Sequence, residues 1–192
     1  MLELREISGI YSGVAVQEGN SGIARFVRLS DLSDLRSGRA PKLATGQPPV
    51  VARALPLEEG DLIVAARGTT TDVCQAAHSW LGAFISLDLY LVRPDPSKVD
   101  PGYLAAFFDL PATQAAFSGN KQGTGLARLP KEALDSLIVP LPPMPTQRLI
   151  AELARSFHDE AALLQRLTNL NSILSRGALA HAFCAATASL NS

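Results

Sequence analysis

The stretch that most constrains this chain runs from about Pro145 to Phe183, where there is no further proline and only one glycine, Gly177. Apolar residues recur there at Ile150, Leu153, Phe157, Leu164, Leu167, Leu174 and Ala178, the three-and-four spacing of one helix face with two gaps. Thr146 stands where it can cap the first turn. About 38 helical residues would extend roughly 57 Å at 1.5 Å per residue, longer than a domain of this size is wide. Part of the stripe therefore needs a partner: either another helix covers it, or the helix folds back over a sheet of its own chain. Just upstream, Pro140, Pro142, Pro143 and Pro145 crowd four prolines into six residues. Each residue before a proline is pushed out of the helical region, so "IVPLPP" (138–143) is expected to be extended, a stiff elbow ahead of the helix.

Residues 1 to about 143 read as a mixture of short strands and helices broken by Gly and Pro. "ARFVRL" (24–29) and "PVVARAL" (49–55) have strand character, and "GDLIVAARG" (60–68) is a buried strand between glycines. "AFISLDLYLV" (83–92) alternates, with Ile85, Leu87, Leu89 and Leu91 in one row against Ser86 and Asp88. "DPGYLAAFFDL" (100–110) is a helix capped by Asp100 with Pro101 in its first turn, and "PATQAAFS" (111–118) is a second, also opened by a proline. "GNKQGTGLARLPKEALDSL" (119–137) is a Gly-rich loop leading into a short helix. The predicted fold is thus α+β, a mixed α/β domain with short strands followed by one long C-terminal α-helix that forms a coiled-coil arm. The expected boundaries are 1–143, 144–187 for the arm and 188–192 for a tail.

Several function classes are disfavoured at this level. The longest apolar runs, such as "LGAFISLDLYLV", contain Asp88 and are too short to cross a bilayer. "MLELREISGI" lacks the basic-then-apolar pattern of a signal peptide, so a cytoplasmic protein is expected. Cys74 and Cys184 are the only cysteines, too few for a disulfide framework or a four-ligand zinc site, and no metal or other cofactor is expected. Cys74 and His78 are spaced like a nucleophile and base, but "DVCQAAHSW" supplies no third group to orient the histidine. "ARGTTTD" (66–72) lacks the Gly-Lys-Ser/Thr of a phosphate loop, and "GNKQGTG" precedes no long helix as a dinucleotide fingerprint would. Binding is therefore expected rather than catalysis.

With 17 Lys and Arg against 18 Asp and Glu, the formal charge is −1, which excludes a generally basic coat but not a local basic face. Arg25, Arg28, Arg36, Arg39, Lys42, Arg53 and Arg67 fall among loops rich in Gly and Pro, and Lys121, Arg128 and Lys131 mark the second Gly-rich loop. Lys and Arg on loops suit phosphate contacts, while Arg, Asn and Gln can read base edges. Candidate DNA-binding residues are accordingly Arg36, Arg39, Lys42, Arg53, Arg67, Thr69, Thr70, Asn120, Lys121, Gln122 and Arg128. The same cations also fit an ordinary solvated surface, and charge does not separate the two.

Several segments, in order, resemble one target-recognition half of the specificity subunit of Type I restriction-modification enzymes. "LREISGIYSG" is similar to the opening of such domains and "LEEGDLIVAARGTT" to their Gly-Asp strand ending in Arg-Gly. "FISLDLYLVRPDPSKVDPGYLAAFF" resembles their central strand and Tyr-Leu helix. "GTGLARLPKEALDSLIVPLPPMPTQRLIAEL" resembles the closing segment, in which a Gly-rich turn leads to a Pro-Pro stretch, a Gln (here Gln147) and the long spacer helix. The resemblance implies a non-catalytic domain that grips one half of a bipartite site in double-stranded DNA. It also implies adenine methyltransferase partners and, in a full complex, a restriction nuclease. A typical subunit carries two recognition domains and two long helices, whereas this sequence has one of each and no internal repeat. A half-subunit that dimerises, a fragment, and a relative serving another defence system all stay open. So does a protein-interaction scaffold that has lost DNA readout, or a small enzyme using Cys74 and His78.

The arm itself suggests a register. With a positions at Ile150, Phe157, Leu164, Asn171 and Ala178, the d positions are Leu153, Glu160, Leu167, Leu174 and His181. An antiparallel homodimer centred between Gln165 and Arg166 sets Glu160 opposite Asn171 of a second copy. It also sets Phe157 opposite Leu174, and Leu164 opposite Leu167. A one-heptad shift would oppose the carboxylate to Leu164 or Ala178, neither of which can donate to it. Two-fold symmetry would then imply inverted half-sites in the DNA.

Overall fold

The structure is a computed structural model that describes residues 1–16, 22–36, 41–51, 54–68, 71–123 and 127–190. In chain order the elements are β1 (Leu2–Glu3), α1 (Leu4–Ile7), β2 (Ser8–Ser12), β3 (Ala24–Val27), α2 (Leu29–Arg36), β4 (Ala44–Gly46), β5 (Leu62–Ala65) and β6 (Val73–Gln75). They continue with β7 (Phe84–Ile85), β8 (Leu89–Pro94), α3 (Pro101–Asp109), α4 (Pro111–Asn120), α5 (Lys131–Asp135), β9 (Ile138–Val139) and α6 (Met144–Leu190). A 3₁₀ turn, His78–Trp80, precedes β7. This is the mixed α/β domain with short strands and a long C-terminal helix that the sequence predicts. The chain divides into two units, Met1–Arg155 and Ser156–Ser192.

The first unit is organised by an antiparallel sheet in the order β2-β8-β5-β6. Leu62, Val64, Tyr90 and Val92 pack on one face with Leu4, Ile7, Leu104 and Phe108, while Ile63, Ala65, Leu89 and Leu91 pack on the other with Val27, Leu57 and Trp80. Because side chains alternate between faces and both faces carry core, β5 and β8 need apolar residues at nearly every position. That is why "LIVA" reads as a continuous apolar run. Gly60 and Gly68 flank β5 at φ +87° and +110°, backbone angles at which an L side chain would be strained.

The expected strand over 83–92 is two strands. Ser86, Leu87 and Asp88 form a turn closed by Leu89 N–H donating to the Ser86 carbonyl at 3.0 Å. Upstream of it β7 joins the β4-β3-β7 sheet, and downstream β8 joins the four-stranded one. The break leaves Leu87 46% exposed, out of the row with buried Ile85, Leu89 and Leu91. "PVVARAL" is not a strand in its described residues: Val50 is fully exposed and Ala54 N–H closes a turn onto the Val51 carbonyl. Pro48 and Pro49 offer no ladder donor there. The strand read over 24–29 ends at Val27, and Leu29 opens helix α2, "LSDLSDLR", whose other residues lie where the sequence reading placed no element.

The helices start as their caps dictate. Asp100 accepts from Tyr103 N–H at 3.0 Å with Pro101 beside it, and Pro111 opens α4, whose Phe117 meets Phe108 edge-on at 5.7 Å. The "IVPLPP" segment is extended as expected, with Val139 and Ile138 paired to Leu2 and Glu3. The long helix begins earlier than a Thr146 cap would place it. Thr146 and Gln147 both donate their backbone N–H to Pro143, at 2.9 and 3.1 Å, so Thr146 lies inside the first turn. Pro145 has no N–H to lose there, which is why the first turn accepts it.

Gln147 is 2% exposed and locks this start to the domain. Its Oε1 accepts from Asp100 N–H at 2.9 Å, and its Nε2 donates to the carbonyls of Pro142 at 2.9 Å and Lys98 at 3.3 Å. One turn on, Ala151 packs on Gly102 so closely that a Cβ on the glycine would lie 2.9 Å from the Ala151 methyl. In the second unit, by contrast, every described residue from Ser156 to His181 is exposed. Phe157, Leu164, Leu167 and Leu174 are each between 57% and 71% exposed.

Candidate nucleic-acid interface

Beyond β5 the chain bends into a small ladder. Arg67 pairs with Arg128, and Arg128 pairs with Gln122, in two antiparallel bridges. Gln122 and Arg128 exchange both backbone hydrogen bonds at 2.9 Å, and Leu129 N–H donates to the Ala66 carbonyl at 2.8 Å. Three residues of the two Gly-flanked loops are thus brought side by side, although 61 positions separate Arg67 from Arg128 in the chain.

Each cation in this ladder has a defined partner. Arg67 Nε lies 3.2 Å from Asp88 Oδ1, an ion pair that is not aligned as a hydrogen bond. Arg128 has its guanidinium carbon 5.4 Å from the centre of the Tyr90 ring, and its Nε approaches the Tyr90 hydroxyl at 3.4 Å. That hydroxyl in turn donates to the Leu129 carbonyl at 2.8 Å. Lys121 Nζ donates to the Gly68 carbonyl at 2.8 Å, and burial holds its pKa below the usual lysine value. Gln122 is exposed, whereas Asn120 turns back to donate to Ala116 in its own helix at 2.8 Å.

The other candidates fall elsewhere. Lys42 is exposed ahead of β4, in the other sheet. Arg39, Arg53, Thr69 and Thr70, and the side chain of Arg36, lie outside the described residues. Several cations are committed to the fold instead. Arg25 donates to the carbonyls of Ser79 and Leu81, both at 2.7 Å, and Lys131 pairs with Asp135 at 2.8 Å. Arg93 forks onto the buried Asp61 through Nε and Nη2, both at 2.8 Å. Asp88 and Tyr90 were not among the residues singled out from the sequence. Their signal is an acid and a tyrosine inside an otherwise apolar run, and it becomes readable only once β5 and β8 are paired.

Burial, aided by the charge of Asp109, pushes the Cys74 thiol up to about 12, so almost none is thiolate at neutral pH. His78 is exposed at the start of the 3₁₀ turn. Among the described residues no three His, Cys, Asp or Glu side chains gather as metal ligands, and no helix is long and apolar enough to cross a membrane.

Residues 24–172 match the family described as the Type I restriction modification DNA specificity domain. The chain belongs to that family. Solved structures carry the same fold. The S subunit of a Type I restriction-modification system from M. genitalium superposes with a TM-score of 0.60 at 14% identity, over 88% of this chain and 41% of that one. The HsdS subunit from Thermoanaerobacter tengcongensis gives 0.58 at 20%, over 86% and 38%. A chain from a study of complex assembly and conformational transition in the type I R-M system gives 0.63 at 19%, over 86% and 43%. This specificity domain therefore spans about two fifths of the length of those chains. No curated protein matches it.

Proposed function

We propose that the chain is the non-catalytic, sequence-reading subunit of a Type I-like restriction-modification system, acting on one half of a bipartite site in double-stranded DNA. Residues 1–143 form the recognition domain, 144–187 the helical arm and 188–192 a tail. The observation that carries this is the meeting, in a member of this family, of Arg67, Gln122 and Arg128 in one ladder, with Lys121 tied to the Gly68 carbonyl beside it. These are side chains suited to phosphates and base edges, concentrated in a chain whose net charge is −1. Arg36, Arg39, Lys42, Arg53, Thr69, Thr70 and Asn120 complete the DNA-facing set in this reading.

The arm joins two copies antiparallel, through Ile150, Leu153, Phe157, Glu160, Leu164, Leu167, Asn171 and Leu174. Its apolar surface supports more than a pairwise seam. Exposed Leu149, Leu163 and Leu170 recur every seventh or fourteenth residue, each just before an a position. They widen the stripe to the three-in-seven face of a helix in a bundle. That width leaves room for further helices, which we assign to adenine methyltransferase subunits, with a restriction nuclease joining the full complex in the cytoplasm.

The test is duplex-DNA binding by the chain with its methyltransferase partner across a salt series. Phosphate contacts make log K fall with log salt by about 0.9 per contact, so a steep slope and a preferred sequence are expected. Salt-independent assembly with the methyltransferase but without DNA binding would instead identify an interaction scaffold.

A further inference from the structure

Two like charges facing each other across an antiparallel pair destabilise it, and Arg67 and Arg128 are such a pair, with Lys121 anchored next to them. Each guanidinium has a neighbour at Nε: Arg67 the Asp88 carboxylate, as an ion pair at 3.2 Å, and Arg128 the Tyr90 hydroxyl, to which it donates at 3.4 Å. Among the described residues nothing occupies the terminal nitrogens of either.

The holding groups indicate what the terminal nitrogens face. A phosphate contact asks only for a positive charge within reach, and a carboxylate beside it would repel the phosphate. Asp88 stands within ion-pair distance of Arg67, a neighbour that repels an uncharged base edge much less than it repels a phosphate. A guanidinium fixed by a second group also loses less rotamer freedom when it binds, which favours a directional, bidentate contact. The base that accepts two parallel N–H bonds on its major-groove edge is guanine, through O6 and N7.

Building on the proposed DNA-reading function, we infer that Arg67 and Arg128 are the guanine-reading residues of this domain, with Asp88 and Tyr90 as their positioning residues.

The test is selection from a duplex library with a randomised centre, using the full chain with its methyltransferase partner, as wild type, Arg67→Lys, Arg128→Lys and Asp88→Asn. The lysine variants keep the charge and remove the fork. Wild type is expected to enrich a motif containing guanines. Arg67→Lys should lower the preference for one guanine by about 10- to 100-fold, Arg128→Lys should do so at a different one, and the salt slope should hold in both. Asp88→Asn, which touches no DNA in this assignment, should relax the same position as Arg67→Lys. Variants that weaken binding to all sequences alike, or that keep the whole motif, overturn the inference while DNA reading by the domain stands. A wild-type chain that enriches no motif overturns both.

Discussion

Replacing Gln147 by Leu should cost far more than a change of one polar surface residue. The side chain is 2% exposed, and leucine of similar size would leave the Asp100 N–H without its acceptor. It would also take a donor from the carbonyls of Pro142 and Lys98. An orphaned buried N–H costs about 1–3 kcal/mol, and carbonyls, with two lone pairs, somewhat less, so the total is about 2–4 kcal/mol. At 2–4 °C per kcal/mol for a chain of this length, the melting temperature should fall by about 4–16 °C in circular dichroism. Gln147→Glu separates hydrogen bonding from packing. The introduced carboxylate can still accept from Asp100 but faces two carbonyls it cannot donate to, which raises its pKa in the folded state above the unfolded value. Its contribution is then fully present below the unfolded pKa and lost as pH rises through the folded one, so this variant should be least stable near neutrality and recover in acid. A Gln147→Leu protein that melts within about 1 °C of wild type would refute the lock.

Three further outcomes follow from particular contacts. Asp61→Ala removes a carboxylate that is 1% exposed and binds the Arg93 fork and the Glu58 N–H, so chemical denaturation should show a loss of about 3–5 kcal/mol. In a Cys184→Ser background, Cys74, whose thiol is pushed up to about 12, should react with iodoacetamide at neutral pH much more slowly than a free thiol, and alkylation as fast as that of a free thiol would support the catalytic alternative. Leu164→Cys combined with Leu167→Cys should crosslink two copies under mild oxidation, whereas self-crosslinking of Leu164→Cys alone would indicate a parallel arm.

Much of the fold was legible because local chemistry and tertiary structure agree. Asp100 and Pro101 start α3, glycines bracket the buried β5, and a proline-free run continues as α6. The failures share a cause, which is that local pattern does not record what the chain meets at long range. The alternation across 83–92 survives a turn at Ser86–Asp88 because the turn returns Leu89 to the parity of Ile85, so one sequence row hides two sheets. Helix α2 is only 8 residues long, too short for its Leu29, Leu32 and Leu35 to stand out as a periodic face. The candidate interface was half legible. Arg67, Lys121, Gln122 and Arg128 are of the right type in the right loops, but their meeting depends on strand register. The partners Asp88 and Tyr90 lie within a run that otherwise reads as core. Gln147 stood out from the sequence only through a family motif, and its three buried hydrogen bonds supply the physical reason for a glutamine there.

The most direct measurement of sequence specificity is single-base mapping of adenine methylation in cells carrying the chain with its methyltransferase, and in cells lacking the chain. The expected result is one interrupted motif of two inverted half-sites that vanishes when the chain is removed. Methylation at the same motif without the chain would contradict its role as the reader, and a continuous or asymmetric motif would contradict the two-fold arm.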